Sequence, residues 1–340
     1  MTETWNGPAG GPANGRGEGR GLGPAPAVVA LGGGHGLSAS LSALRLMSDR
    51  LTAVVTVADD GGSSGRLRHE MGVLPPGDLR MALSALCDDS EWGRLWRDVM
   101  QHRFHSAGSM NDHAVGNLLI AALWELLGDP VSGLDWVGRL LGARGRVLPM
   151  ASVPLEIEAD IIGPGESGER VVHGQSLVAG AAGDVRRIRL APEDPEVPDE
   201  VLAALAEADW VVLGPGSWFT SVLPHLMVPR IRAALVASPA RRCITLNLFP
   251  ASGRAGGMTC HQHLDAIATH VPDLAFDVVV ADPSAVDDID RMHDQAAALG
   301  AQLLLRQVRV GDGSARHDAL RLAAAYRDAF EGTLGDVGHR

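Results

Sequence analysis

The chain has 340 residues, 46% of them apolar and 42 of them glycine, with only 4% aromatic and a formal net charge of −12. That is about two domains' worth of length with ample material for a buried core, and the acidic balance argues against nucleic acid or an anionic membrane as partner. All 29 basic residues are arginine, which excludes a Walker A loop and a Schiff-base lysine.

No apolar run reaches the roughly 18 residues that span a bilayer, and no charged, then apolar, leader opens the chain. Cys87, Cys243 and Cys260 are too scattered for a disulfide frame or a zinc site. A cytoplasmic protein is expected.

Residues 1–26 carry eight glycines and four prolines and read as a disordered tail. Ala27–Leu31 is a continuous apolar run, as in a buried parallel strand. A glycine cluster (Gly32–Gly36) and a helix over Leu37–Met47 follow, then a strand over Thr52–Ala58 that ends in the loop Asp59–Gly65. Helices are expected at Asp78–Cys87, Glu91–Phe104, His113–Leu127 and Leu134–Leu141, and strand-like segments at Pro154–Ile162, Arg170–Ala179 and Val185–Leu190. The first of these alternates (Leu155, Ile157, Ala159 against Glu156, Glu158, Asp160), which suggests a half-exposed antiparallel hairpin.

The strand–helix rhythm resumes with Val201–Ala208, Trp210–Leu213, Arg230–Ala237, Cys243–Leu248, Thr259–Val271, Asp277–Ala281, Gln302–Val308 and Ala315–Phe330. The expected architecture is a single doubly wound α/β domain over 27–332, mostly parallel, with a helical insertion and a β-hairpin; 333–340 is a flexible end.

Gly34-His35-Gly36-Leu37-Ser38-Ala39 fits a phosphate-binding turn between strand and helix, or a plain tight turn. Asp59-Asp60-Gly61-Gly62-Ser63-Ser64 closes the second strand. Its backbone suits a phosphate and its two acids suit a ribose or a hydrated Mg²⁺; a solvated turn is the plainer alternative. Gly214-Pro215-Gly216-Ser217 follows a third strand. Three such loops at parallel strand tips converge on one crevice, which favours a nucleotide-type ligand.

Asn117 sits in the first turn of an apolar helix, where its amide meets a ligand oxygen or bonds locally. Asp78 reads as a helix cap, and Arg80 as a phosphate contact or a solvated side chain. His102 with His105, and His261 with His263, complete no metal set, and no G-x-S-x-G elbow is present.

Together VVALGGGHGLSASLSAL, ADDGGSSGRLRHEMGVLPPGD, HAVGNLLIAAL, RGRVLPMA and LGPGSWFTSVLP make the chain resemble the YvcK/CofD-like family, in particular its gluconeogenesis-factor branch, over most of 27–282. The resemblance implies a Rossmann-like fold and a UDP-sugar binder of the UDP-N-acetylglucosamine type. Such a protein would support cell shape and cell-wall precursor supply during gluconeogenic growth, as a regulator rather than an enzyme. The alternative it implies is a Mg²⁺-dependent transferase of phospholactyl-type groups from a nucleotide-activated substrate.

Carried over by position, Gly33, Gly34, His35 and Gly36 form the first phosphate loop, Asp59 to Ser64 the second and Gly214 to Ser217 the third. Asn117 and Arg316 add contacts. The resemblance leaves open a homo-oligomer and cell-wall synthesis proteins as partners. This chain departs from the family at His35 (usually Thr), at Asp112-His113-Ala114 and at Leu248–Gly253.

Overall fold

The computed structural model describes residues 25–165, 168–248 and 258–332. The expectations for the tail up to residue 24, the loop residues 249–253 and the end at 333–340 lie outside them.

Strand β1 (Val28–Gly32) feeds helix α1 (Gly34–Leu44), and β2 (Leu51–Val55) leads through α2 (Gly62–Met71), α3 (Gly77–Leu86), α4 (Glu91–Gln101), α5 (Val115–Leu127) and α6 (Pro130–Leu141) to β3 (Arg146–Pro149). An excursion of β4 (Glu156–Ile162), β5 (Glu169–His173), α7 (Gln175–Gly180) and β6 (Asp184–Ala191) follows. Then come α8 (Asp199–Glu207), β7 (Trp210–Leu213), a π turn at Trp218–Val222, α9 (Leu223–Met227), α10 (Pro229–Ala237) and β8 (Arg241–Thr245). The described fold closes with α11 (Cys260–His270), β9 (Val278–Ala281), α12 (Ile289–Ala298), β10 (Gln302–Leu305) and α13 (Ala319–Glu331).

Seven strands form one parallel sheet in the order β10-β9-β8-β7-β1-β2-β3. β1, β7 and β9 are buried along their whole length, which is why they read as unbroken apolar runs. From β1 the chain winds outward through β2 and β3, then returns to β7 and winds the other way. The switch therefore lies between β1 and β7. β5-β4-β6 form a separate antiparallel sheet, and β4 alternates as its sequence does, with Ile157, Ala159 and Ile161 buried. Among the described residues no helix is long and apolar enough to cross a membrane, and the three cysteines are buried.

Four expectations need correction. The second glycine block is a loop only to Gly61: Gly62, Ser63 and Ser64 form the first turn of α2. Poor helix formers hid that helix, yet Gly65 is required within it, because a Cβ there would lie 2.1 Å from the Asp60 carbonyl oxygen. Arg170–Ala179 is not one strand; β5 ends at His173 and α7 follows. α6 starts at Pro130 because Asp129 caps it, accepting from the Ser132 N–H, and α13 starts at Ala319 because Asp318 caps it likewise. The short strand β3 had no sequence assignment at all.

Burial pushes the imidazoles of His225 and His317 down to about 4 and that of His263 to about 3. Between about pH 4 and 6.5 the unfolded chain therefore binds more protons at these positions than the folded one. Stability should fall with acidification over that window, each histidine contributing up to about 1.4 kcal/mol per pH unit. A urea midpoint at pH 5 equal to that at pH 7 would contradict this.

Candidate functional site

The carboxyl tips of β1 and β7 carry the first and third glycine loops, and the two loops touch. A Cβ on Gly36 would lie 2.2 Å from the Pro215 carbonyl oxygen and 2.5 Å from Gly216 Cα. The residue must be glycine for α1 to start against that loop. The third loop contains a cis Gly214–Pro215 bond and is clamped at both ends of one residue. Gly216 N–H donates to Asn247 Oδ1 at 2.8 Å, and Asn247 Nδ2 donates back to the Gly216 carbonyl at 2.7 Å.

Behind the loops runs a buried chain of hydroxyls. Ser40 Oγ donates to the Gly214 carbonyl at 2.7 Å, so the Tyr326 hydroxyl donates to Ser40 (2.7 Å) and accepts from Thr245 (2.9 Å). Tyr326→Phe would leave the Ser40 acceptor and the Thr245 donor buried and unmatched. A loss of about 1–3 kcal/mol of unfolding free energy is expected, measurable by chemical denaturation; an unchanged midpoint would contradict it.

Between the loops opens a crevice of about 870 Å³. Gly33, Gly34, His35 and Gly36 line one side and Pro215, Gly216 and Ser217 the other. Gly214 does not line the crevice; its carbonyl accepts from Ser40 Oγ. Arg316 stands on the rim, its guanidinium paired with Asp312 at 2.7 Å. His263 lines the crevice too, stacked on Trp218 with ring centroids 4.8 Å apart.

The second glycine block does not join this wall. Asp59, Gly61, Gly62, Ser63, Ser64 and Asn117 border a neighbouring cavity of about 210 Å³. Asp60 borders neither cavity; its carboxylate accepts from the Ser176 N–H (2.9 Å) and hydroxyl (2.5 Å). The three glycine loops therefore converge as two plus one.

Asp78 joins the two spaces, lining both. It accepts from the Gly34 N–H, and burial, followed by the neighbouring charge of Asp59, pushes its carboxyl up to about 7. It does not cap its own helix: it lies in the first turn of α3, and its carboxyl serves instead the Gly34 N–H at the start of α1. Asp78, Asn247, His317 and Ser221 are the site residues that sequence reasoning missed. For Asp78 the signal was present, an acid directly after Pro-Pro-Gly at the head of a helix.

Among the described residues no cluster of three or more histidines, cysteines and acids could hold a metal. Mg²⁺ needs only one or two carboxylates beside ligand phosphates and water. Asp59 and Asp78 fit that requirement: both line the small cavity, and the Asp78 carboxyl is raised first by burial and then by the charge of Asp59, the part that a cation would relieve. Asp60, tied to Ser176, does not fit it.

A doubly wound α/β protein with paired glycine loops and a crevice at its switch point is the class these features define. Residues 28–308 match the family described as 2-phospho-L-lactate transferase CofD, and the chain belongs to that family. It is 48% identical over 306 residues (88% of this chain, 85% of the relative) to a Mycobacterium leprae protein named "Putative gluconeogenesis factor". It is 35% identical over 278 residues (82% and 85%) to the Bacillus subtilis "Gluconeogenesis factor". A solved UPF0052-family structure from Bacillus halodurans aligns at 33% identity and a TM-score of 0.77, covering 88% of this chain and 97% of that one.

Proposed function

We propose that the crevice binds a nucleotide-diphosphate sugar of the UDP-N-acetylglucosamine type, and that the protein acts as a regulator linking carbon supply to cell-wall precursors and cell shape. The observation that carries this reading is the backbone contact between the Gly33–Gly36 and Gly214–Ser217 loops at the switch point. Peptide N–H groups at the start of α1 suit a diphosphate without any lysine. A volume of about 870 Å³ lies within the usual range for small-molecule sites, roughly 300–1,000 Å³. Arg316 and His35 also line the crevice and would be available to a sugar or a second phosphate.

Calorimetry and thermal melting with UDP-N-acetylglucosamine test the reading. At one hundred times the dissociation constant the ligand should stabilise the fold by roughly 2.7 kcal/mol. No heat and no shift at millimolar ligand would overturn it.

A second reading rests on the matched family's description, 2-phospho-L-lactate transferase: a transferase that would take its group from a nucleotide-activated substrate. Asp59 and Asp78 would hold Mg²⁺, which when bound would neutralise charge on the diphosphate. The loops would orient the substrate and the buried strand tips would exclude water. Mg²⁺-dependent release of a nucleoside monophosphate from activated lactate supports this reading; an inert substrate with intact UDP-sugar binding supports the first.

A further inference from the structure

Beside the two acids that would hold Mg²⁺, Asp59 and Asp78, the smaller cavity is walled by hydroxyl, amide and guanidinium groups of Ser63, Ser64, Asn117, Arg80 and Arg103. Ser63, 3% exposed, lines it. Arg66 Nε donates to His113 Nε2 at 3.0 Å, and a guanidinium only donates. The neutral imidazole therefore carries its proton on Nδ1 and gives it to Ser63 Oγ at 3.0 Å. Asn117 Nδ2 donates to the same oxygen at 3.0 Å, its amide fixed by Arg80 Nε bonding to Oδ1 at 2.8 Å. Both lone pairs of Ser63 Oγ are filled, so its own proton must go to an acceptor, and among the described residues no such bond is made.

Ser64, also 3% exposed and on the same wall, makes no side-chain hydrogen bond among the described residues. Arg80, 4% exposed, and Arg103 line the cavity too. Arg80 also bonds to Gln101, and Arg103 to the Asp112 carbonyl at 2.8 Å. The first turn of the ten-residue helix α2 adds its free N–H groups. The acids facing them are partly committed elsewhere: Asp59 Oδ1 accepts from Gly61 N–H at 3.0 Å and Asp78 from Gly34 N–H.

Two buried hydroxyl protons, two guanidiniums and a helix start call for a compact oxyanion. We propose that this cavity is a second anion site, holding one phosphate group independently of the ligand in the crevice. It goes beyond the nucleotide-sugar reading and shares only the Asp78 wall with that site.

The test titrates the full chain with inorganic phosphate against chloride at equal ionic strength, with and without saturating UDP-N-acetylglucosamine. Phosphate should stabilise the protein in both conditions. Arg103→Gln and Ser64→Ala should each weaken phosphate binding about tenfold or more while leaving UDP-sugar affinity within about twofold. Glycerol phosphate separates the sources: tighter binding than inorganic phosphate marks a phosphorylated metabolite, equal or weaker binding marks the free ion. No stabilisation beyond chloride while the UDP-sugar fills the crevice, or wild-type phosphate binding by both variants in that condition, would each overturn the proposal. The phosphate arm needs no nucleotide sugar, so failure of one site leaves the other testable.

Discussion

Gly36→Ala should cut nucleotide-sugar binding by about a hundredfold or more while leaving the protein folded. The added Cβ would meet backbone atoms of Pro215 and Gly216 at 2.2 and 2.5 Å, and none of them can swing aside as a side-chain tip would. The first and third loops must separate, which misplaces the N–H groups of both at once. Overpacking of this kind costs about 1–3 kcal/mol of stability, and a hundredfold loss of affinity corresponds to about 2.8 kcal/mol. Gly311→Ala is the control, since a Cβ there meets nothing within 4 Å. Calorimetry on both variants checks the result; wild-type affinity in Gly36→Ala would show that the ligand does not sit between these loops.

Asp78→Asn should stabilise the protein at pH 8 by several kcal/mol and change the shape of its pH–stability curve. The carboxyl rises from an ordinary 3.8 to about 7 because burial, and then Asp59, disfavour its charge. Between these values the unfolded chain holds fewer protons here than the folded one, so this group makes stability fall as pH rises. The slope is up to about 1.4 kcal/mol per pH unit, and the whole contribution, roughly 4 kcal/mol, is in place above pH 7. The buried histidines act in the opposite direction below pH 6.5, so the difference between wild type and variant isolates Asp78. Asparagine keeps an oxygen for the Gly34 N–H, which makes loss of the charge the main change. A difference curve flat from pH 4 to 8 would contradict the assignment. If Asp78 helps hold Mg²⁺, the ion should flatten the wild-type curve and leave that of the variant unchanged.

The parallel sheet was legible because its strands are buried on both faces and therefore continuous in apolar residues, as in Val28–Leu31 and Val278–Ala281. The two loops that meet were legible as glycine clusters placed directly after such strands. The division between crevice and side cavity was not. Gly62-Ser63-Ser64-Gly65 has the composition of a loop, yet it forms a helix in which Gly65 packs closely on the Asp60 backbone and Ser63 joins a buried network with His113 and Asn117. Asp60 and Asp59 are indistinguishable in sequence, yet one faces Ser176 and the other the cavity. Asn247 and Asp78 act through partners 31 and 44 residues away, Gly216 and Gly34, and no local pattern encodes such distances. Asp129 and Asp318 were readable caps, and misplaced starts for α6 and α13 came from following apolar periodicity rather than the cap.

A crystal structure of the full chain grown with UDP-N-acetylglucosamine puts the two-loop site to its most direct trial. The diphosphate should lie within hydrogen-bond distance of backbone N–H groups from both Gly33–Gly36 and Gly214–Ser217, with Arg316 near its outer end. A nucleotide bound elsewhere, or touching only one of the two loops, would contradict the site.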